Sequence, residues 1–358
     1  MAVAVYRGRG EVAVERRAVP TPAPGQVLVE VSHCGICGSD LHMMLENWGQ
    51  PGLVGGHEFT GTIAAVGTDV VGWSTGDAIV CGASPRCGRC RRCLEGKPSQ
   101  CENRATSMSD DHDGAFAQYT LVDARSLLRL PDGMSSREAA LAEPLAVALH
   151  GITRSGLTAG DTVMVIGAGP IGALTIAALV ARGFGPVTAV EPGEARRQLA
   201  LDLGASHVFA PGDLELYPMW EPERISPYAV DVVLECSGKK AAMQAGFNQL
   251  RRGGVLTLVG AGIEPPSFDP NRMILNELQV CGSFVYDADG FERALELLAS
   301  GALPTDVLID PHDVPLDLVG AAMSGLAEGR IAGKAMVVPR LSTDPSDRAQ
   351  PAEAPEAS

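Results

Sequence analysis

The apolar positions of this chain follow a two-residue rhythm over residues 1–130. Short apolar runs alternate with polar positions and are separated by turns, as in Val27–Val31, which follows the Pro- and Gly-rich loop 20–25. Further segments of this kind are 3–5, 61–66, 78–81 and 117–122. Such alternation is typical of half-buried β-strands. We therefore predict an irregular, β-rich first part.

From Thr162 onward the rhythm changes, and apolar strands alternate with helical segments. The predicted strands are 163–166, 187–190, 230–235 and 255–259, and the predicted helices are 170–182, 194–203, 241–250 and 290–300. Later apolar stretches are 316–328 and 335–338. Strands and helices in alternation indicate βαβ units around a parallel sheet. The pattern predicts an α/β fold with a domain boundary between residues 145 and 160.

One apolar segment, 163–181, is long enough to suggest a membrane span, because its 19 residues include no charge. Gly167, Gly169, Pro170 and Gly172 interrupt it near its start, so we interpret it as a strand followed by a helix. At the other end of the chain, residues 342–358 have no aliphatic side chain larger than Ala. We predict that they form a disordered tail.

Composition narrows the possible functions. A length of 358 residues with 46% apolar residues favours two domains and excludes a small stapled module. The formal charge of −15 disfavours nucleic-acid and membrane-surface partners, which leaves a small-molecule enzyme as the expected class. The first residues lack the pattern of a signal peptide, so we expect a cytoplasmic protein. Nine cysteines in a reducing compartment then indicate metal sites or nucleophiles rather than disulfides.

Four of the cysteines form a C-x2-C-x2-C-x7-C run, at Cys87, Cys90, Cys93 and Cys101. Four thiolates in one short loop suit a structural zinc, although iron–sulfur clusters use a similar spacing. The loop is also basic, with Arg86, Arg89, Arg91, Arg92 and Lys97. A non-catalytic zinc protein that binds nucleic acid is therefore the rival hypothesis; the alternative is that these cations offset the negative charge of a zinc-tetrathiolate.

A second set of candidate metal ligands is mixed in type. Cys37 lies in the segment CGICGSDLH, His57 and Glu58 follow in GGHE, and Glu143 follows in AEPL. Three protein ligands of Cys, His and carboxylate type, with an open fourth position, are how a catalytic zinc is held. Each residue alone is weak evidence, but together with the four-cysteine loop they indicate a second zinc.

A dinucleotide site is indicated by Gly167-Ala168-Gly169-Pro170-Ile171-Gly172, which follows a predicted strand and begins a helix. The glycines allow a tight turn, approach of a pyrophosphate and close helix packing. Glu191 ends the next strand, where a carboxylate binds ribose hydroxyls and repels a 2′-phosphate. We therefore expect NAD rather than NADP, although Arg196 and Arg197 follow closely.

The motifs GHE, CGICGSDLH, the four-cysteine loop, EPLAVA at 143–148 and GAGPIG at 167–172 together resemble the zinc-containing medium-chain dehydrogenases, in the branch of the sorbitol, threonine and butanediol dehydrogenases. The resemblance implies a GroES-like catalytic domain at 1–150, completed by 285–341, and an inserted Rossmann domain at 151–284. It implies Cys37 and His57 as ligands of the catalytic zinc. Glu58 is the expected third ligand, with Glu143 near the metal.

The same resemblance implies a proton relay through Ser39 and His42, and cofactor contacts that involve Arg196, Val259, Gly260, Ala261, Ser283 and Phe284. The expected activity is reversible oxidation of a secondary alcohol or polyol, with amino-alcohol or sugar oxidation as alternatives. We expect a homodimer or homotetramer. The segment 43–54, which includes Trp48, is shorter than we expect for this family and would line the substrate pocket, so the substrate itself stays open.

Overall fold

The architecture combines a parallel and an antiparallel sheet. The computed structural model describes residues 1–82, 87–103, 114–218 and 220–341. In chain order the strands are β1 Ala2–Gly8, β2 Glu11–Arg16, β3 Gln26–Gly35, β4 Glu58–Val66, β5 Ala78–Gly82, β6 Tyr119–Asp123, β7 Leu127–Arg129, β8 Val163–Ile166, β9 Val187–Val190, β10 His207–Phe209, β11 Val230–Glu235, β12 Leu250–Leu258, β13 Gln279–Gly282 and β14 Met336–Val337.

Helices connect and cover these strands. They are α1 Gly38–Leu45, α2 Arg91–Leu94, α3 Ser136–Ala139, α4 Ala142–Arg154, α5 Pro170–Ala181, α6 Glu194–Asp202, α7 Lys240–Asn248, α8 Pro270–Leu275, α9 Gly290–Ala299, α10 Thr305–Leu308 and α11 Val319–Ala327. In the described ranges, no helix is long and apolar enough to cross a membrane.

The parallel sheet has the strand order β10-β9-β8-β11-β12-β13. All four side chains of β8 are buried, as expected for a strand covered by helices on both faces. The order matches the doubly wound Rossmann arrangement. Successive strands are added outward on one side of the first strand and then on the other side, beginning with the fourth, and these two strands are here β8 and β11. Ligands bind beyond the carboxyl ends of the strands at this point.

The antiparallel sheet has the order β14-β3-β4-β5-β7, with β6 also paired to β3, and β1 and β2 form a separate two-stranded sheet. Met336 pairs with Gly35 and Val337 with Cys34. The end of the described chain therefore returns to the β-rich first part after the parallel sheet is complete.

Helix α4 joins the two sheets through one apolar cluster. Leu145, Ile152 and most of its other side chains are buried there with Val80 and Met336 from the antiparallel sheet and Val165 from the parallel sheet. Helix α5 is apolar on all sides and is buried in the same cluster, as expected for a helix without a solvent face. The core therefore extends continuously from one sheet to the other.

The structure confirms the predicted change from a β-rich to a βαβ pattern, and the predicted strands 163–166, 187–190 and 230–235 match β8, β9 and β11. The uncharged segment 163–181 is a strand and a helix, as predicted. Two elements differ in extent. Strand β12 begins at Leu250 rather than 255, because its polar start pairs with β11 across an irregular register. Residues 316–328 divide into a short 3₁₀ turn and α11. The predicted tail 342–358 lies outside the described residues.

Candidate active site

Three of the predicted metal ligands meet at one point of the antiparallel sheet. The ligand atoms of Cys37, His57 and Glu58 all lie within 4.8 Å of one another. Cys37 directly precedes α1, and Glu58 begins β4, where it pairs with Gly35 of β3. The pairing of β3 with β4 therefore brings together two motifs that are twenty residues apart in sequence.

Several buried polar atoms of this site have no hydrogen-bond partner among the residues that the structure describes. His57 Nδ1, Glu58 Oε1 and Ser39 Oγ are all buried without a hydrogen-bond partner. Buried polar groups are nearly always satisfied, so a cluster of orphaned atoms indicates a missing ligand. Cys, His and Glu are also the donor types that zinc selects. The residues present therefore fit a catalytic zinc.

The ionisable side chains of this site interact strongly with one another. Burial alone would lower the pKa of His57, but its attraction to Cys37, Asp40 and Glu143 raises that pKa well above its usual value. Several anionic groups therefore surround one imidazole in a low-dielectric setting, which is an environment that favours a cation.

Asp40 lies next to the three clustered residues, and the sequence analysis did not single it out. Its carboxylate is fully buried and accepts hydrogen bonds from the amides of Cys37 at 2.9 Å and Gly56 at 3.1 Å. Asp40 Oδ1 also lies 3.9 Å from His57 Nδ1. Asp40 thus fixes the two ligand-bearing segments relative to each other, as carboxylates beside metal-bound histidines commonly do.

Lys334 is a second site residue that the sequence analysis missed. Its side chain is 2% exposed, and Nζ donates to Glu58 Oε2 at 2.5 Å and to the Ile36 carbonyl at 3.0 Å. The only sequence signal for it is a single lysine placed directly before an apolar strand. Since 276 positions separate it from Glu58, only the return of β14 to β3 brings the two together.

Glu143 lies close to this group but is not one of the three clustered residues. It is buried in the first turn of α4, and burial raises its pKa to about 7 against the opposing attraction of His57. Glu58 and Lys334 also act on its charge. Glu143 therefore lies close enough for its charge to interact with the group, to which only Glu58 of the two carboxylates belongs.

The predicted proton relay lies on α1. His42 donates from Nδ1 to Glu46 Oε2 at 2.6 Å, and its ring stacks on Trp48 with centroids 4.7 Å apart. With Nδ1 as the donor, the other ring nitrogen of a neutral imidazole is a proton acceptor. Trp48 is half exposed, so the His42 ring lies next to a residue that reaches solvent.

The four-cysteine run forms a second cluster, in which the sulfurs of Cys87, Cys90, Cys93 and Cys101 lie within 4.8 Å of one another. Backbone amides donate to Cys87 Sγ and Cys90 Sγ at 3.3–3.5 Å. Hydrogen bonds of this kind lower the pKa of Cys87 to about 6, and the bond from the backbone amide of Arg89 has the largest effect. Hydrogen bonds to thiolates and a closed tetrad fit a structural zinc. The predicted basic residue Arg86 lies outside the described residues.

The glycine-rich turn has the backbone geometry that a dinucleotide requires. Gly167 has a φ of +86°, and a methyl group on Gly172 would lie 1.7 Å from the Gly167 carbonyl oxygen. A methyl group on Gly169, in contrast, would lie 3.9 Å from its nearest neighbour, Arg196 Nη1. The fold itself therefore requires Gly167 and Gly172, whereas Gly169 leaves an open space at the amino end of α5. Ile171 lies in the first turn of that helix.

Glu191 and Arg196 border this turn. The buried Glu191 carboxylate accepts from the amides of Ala168 at 2.8 Å and Gly193 at 2.9 Å. Arg196 donates to the carbonyls of Leu326 at 2.7 Å and Ile331 at 3.2 Å. Glu191 is thus part of the glycine-rich turn, while Arg196 connects that turn to the end of α11.

The remaining predicted cofactor residues lie beyond the carboxyl ends of neighbouring strands. Val259, Gly260 and Ala261 follow β12, and Ser283 and Phe284 follow β13. The amides of Val259 and Gly260 both donate to the Glu235 carbonyl at the end of β11. Ser283 Oγ is buried without a partner. These segments share one edge of the parallel sheet with the glycine-rich turn.

Comparison with known families agrees with this geometry. Residues 23–132 match the family model described as the alcohol dehydrogenase GroES-like domain, and residues 170–300 match the one described as zinc-binding dehydrogenase. The first match covers the Cys/His/Glu group and the four-cysteine loop, and the second begins inside the glycine-rich turn, at the first residue of α5.

Three similar proteins are named as dehydrogenases. A sorbitol dehydrogenase of Halalkalibacterium halodurans is 34% identical over 83% of this chain and 87% of its own length. A 2-dehydro-3-deoxy-L-galactonate 5-dehydrogenase of Pseudoalteromonas atlantica is 34% identical over 90% of this chain and 94% of its own. A provisionally named zinc-binding dehydrogenase of Sinorhizobium meliloti, solved with NADP, has a TM-score of 0.82 at 30% identity and covers 94% and 99% of the two chains. The chain therefore belongs to the zinc-containing medium-chain dehydrogenases, a family of zinc- and NAD(P)-dependent alcohol oxidoreductases.

Proposed function

We propose that this protein oxidises a secondary hydroxyl group of a polyol-like small molecule to a ketone, reversibly and with NAD. The observation that supports this most strongly is the group of Cys37, His57 and Glu58, in which His57 Nδ1 and Glu58 Oε1 are buried without a hydrogen-bond partner among the described residues. The printed activities of the sorbitol and galactonate dehydrogenases point to hydroxylated substrates of this kind.

In this proposal Cys37, His57 and Glu58 hold the catalytic zinc, and Glu143 is a nearby carboxylate that can replace Glu58. A zinc held by these residues would supply the Lewis acidity that lowers the pKa of a substrate hydroxyl, and a bound dinucleotide would supply the hydride acceptor. Asp40 holds the backbone amides of Cys37 and Gly56, and Lys334 holds one oxygen of Glu58. The chain's own contribution is thus to fix the ligands in a buried, anionic pocket.

Ser39 and His42 move the proton in this proposal. Ser39 Oγ is buried without a hydrogen-bond partner among the described residues, so it is available to accept the proton of a substrate hydroxyl. His42 accepts it in turn, and the Glu46 carboxylate at 2.6 Å stabilises the resulting imidazolium. Trp48 stacks on the imidazole ring and limits its rotation.

The choice of NAD rests on Glu191. Its carboxylate is held against the glycine-rich turn by two backbone amides, and each oxygen retains capacity to accept from a ribose hydroxyl. The negative charge of Glu191 would repel the 2′-phosphate of NADP. Arg196 Nη2 is engaged by two carbonyls.

Three further proposals concern the whole protein. We infer a homo-oligomer, because β13 ends the parallel sheet and the exposed Ile274 and Leu275 precede it. We infer a reducing, cytoplasmic setting, because both cysteine-containing sites need free thiolates. We place the inserted domain at 151–284 because one sheet holds β8 through β13, whereas β14 returns to β3.

The direct test is a panel of secondary alcohols, polyols, amino alcohols and sugars, each with NAD and with NADP, followed by the absorbance of the reduced cofactor. We expect turnover with polyols or secondary alcohols and a higher kcat/KM with NAD. A preference for amino alcohols would correct the substrate class, and no turnover on any member of the panel would contradict the proposal.

A further inference from the structure

The loop between β13 and α9, residues 283–289, is held in a strained conformation. Val285 has a φ of +46°, which is rare for a β-branched side chain and persists only where the surroundings enforce it. Directly before it come Ser283, whose Oγ is buried without a partner, and Phe284. Ser283 and Phe284 are two of the residues predicted above to contact the cofactor.

Helix α4 holds this loop on both sides. Arg154 Nε donates to the Gly282 carbonyl at 3.2 Å, just before the loop. His150 Nδ1, one helical turn earlier, lies 3.3 Å from Asp287 Oδ2, just after the strained residue. His150 is 6% exposed. Two side chains of one helix therefore bracket the segment that contains Val285.

Asp287 also connects the loop to the four-cysteine lobe, which comprises residues 87–103. Ser99 Oγ donates to Asp287 Oδ1 at 3.2 Å, across 188 positions of sequence. Ser99 is 5% exposed and lies in the 3₁₀ turn Pro98–Gln100, which leads directly into Cys101. One carboxylate thus joins the metal lobe, α4 and the loop beyond β13.

We propose that Asp287 is a positioning residue that transmits the order of the four-cysteine lobe to the loop 283–289, so that an intact lobe tightens dinucleotide binding. This rests on the proposed function, because it takes residues 283–284 as a cofactor contact. The lobe is then a part of the cofactor site as well as a stabilising module. Loss of its metal or oxidation of its thiols weakens dinucleotide binding through Ser99.

Helix α4 also sets the distance between the Cys37, His57 and Glu58 group and the loop 283–289. Glu143 lies in the first turn of α4 beside the metal group, and His150 holds the loop seven residues later. Seven residues of α-helix span about 10 Å. Because α4 is buried along this length, it keeps the loop at a fixed spacing from the metal position.

The test is the dissociation constant of NADH, measured by fluorescence titration of the full-length, zinc-loaded protein. Removing a buried hydrogen bond that orders a binding loop weakens binding about five- to tenfold, which is the expected effect of Ser99→Ala and of Asp287→Ala. The double variant, which combines Ser99→Ala with Asp287→Ala, is expected to bind NADH no more weakly than Asp287→Ala alone, because both changes break the same Ser99–Asp287 hydrogen bond. Asp287→Asn retains an acceptor for Ser99 and should recover most of the affinity.

Asp313→Asn is the matched control, since Asp313 forms a similarly exposed pair with Arg137 at 2.9 Å, remote in sequence from the loop. It should leave NADH binding unchanged. Unchanged binding in both Ser99→Ala and Asp287→Ala would overturn the inference, as would an equal loss in the control. If Asp287→Ala does not fold, Ser99→Ala and Asp287→Asn decide. Failure of the parent protein to bind NADH would instead contradict the proposed function.

Discussion

At the scale of single residues, the buried pair of Lys334 and Glu58 shows how the chain prepares a metal site. The two side chains are 2% and 0% exposed, and their charged atoms lie 2.5 Å apart. Gly35 makes room for them, because a methyl group there would lie 2.2 Å from Glu58 Oε2. A buried carboxylate needs a partner, and Lys334 provides one for one oxygen while the other oxygen stays unpartnered.

Lys334→Met tests this pair. Removal of one member leaves a buried charge uncompensated, so we expect the metal-free protein to lose about 3–5 kcal/mol of unfolding free energy. Urea denaturation measures this. Arg340→Met is the control, because Arg340 and Glu30 lie 2.5 Å apart but are more than one-third exposed, and such pairs contribute only about 0–1 kcal/mol. Equal losses in the two variants would contradict the assigned role.

At the scale of elements, the glycine-rich turn before α5 separates what the fold requires from what the cofactor requires. Gly172 packs against the backbone of Gly167, whereas Gly169 faces open space in the structure. Gly169 also has a φ of −66°, which any residue adopts. The two glycines therefore have different reasons to lack a side chain.

The paired variants Gly169→Ala and Gly172→Ala should separate these reasons. Gly169→Ala is expected to leave Tm unchanged and to raise the dissociation constant for NADH at least tenfold, because its methyl group occupies the space for the pyrophosphate. Gly172→Ala is expected to lower Tm. Thermal unfolding and NADH titration give the two readouts. Unchanged NADH binding by Gly169→Ala would exclude this turn as the phosphate site.

A second prediction at this scale concerns the contact of β3 with α3. His33 Nδ1 lies 3.0 Å from Ser136 Oγ, and burial lowers the pKa of His33 against the attraction of Asp313. The unfolded chain therefore takes up a proton near pH 6.5 that the folded chain resists, and stability falls as the pH drops below about 6.5. His33→Gln should reduce this loss, as measured by Tm between pH 7 and 5, whereas His312→Gln, at an exposed position, should not. An unchanged slope in His33→Gln would refute the explanation.

At the scale of the whole molecule, the two sheets share one of three apolar clusters, and most of the arrangement could be predicted from the sequence. Motifs such as GHE and GAGPIG hold their chemistry within a few residues, so their placement follows from local strand and turn patterns. Lys334 and the Ser99–Asp287 link could not be predicted, because each depends on segments far apart in sequence that only the completed fold brings together. The extent of β12 could not be predicted either, since its polar start depends on pairing with β11.

Metal content is the prediction that belongs to this scale. The two clusters of potential ligands predict two zinc ions per chain. Cys37→Ser should reduce the content towards one, and Cys93→Ser should do the same at the other cluster while also lowering Tm. Elemental analysis of the purified proteins checks this. One zinc per parent chain would contradict the assignment of two sites.

The central claim is that the Cys37, His57 and Glu58 group performs alcohol oxidation with a dinucleotide bound at the glycine-rich turn. It is tested most directly by measuring, side by side, reduced-cofactor formation from polyols by the parent protein and by Cys37→Ser, with NADH binding measured in both. The account predicts turnover only in the parent and equal NADH binding in the two proteins. Sustained turnover by zinc-free Cys37→Ser protein would contradict it.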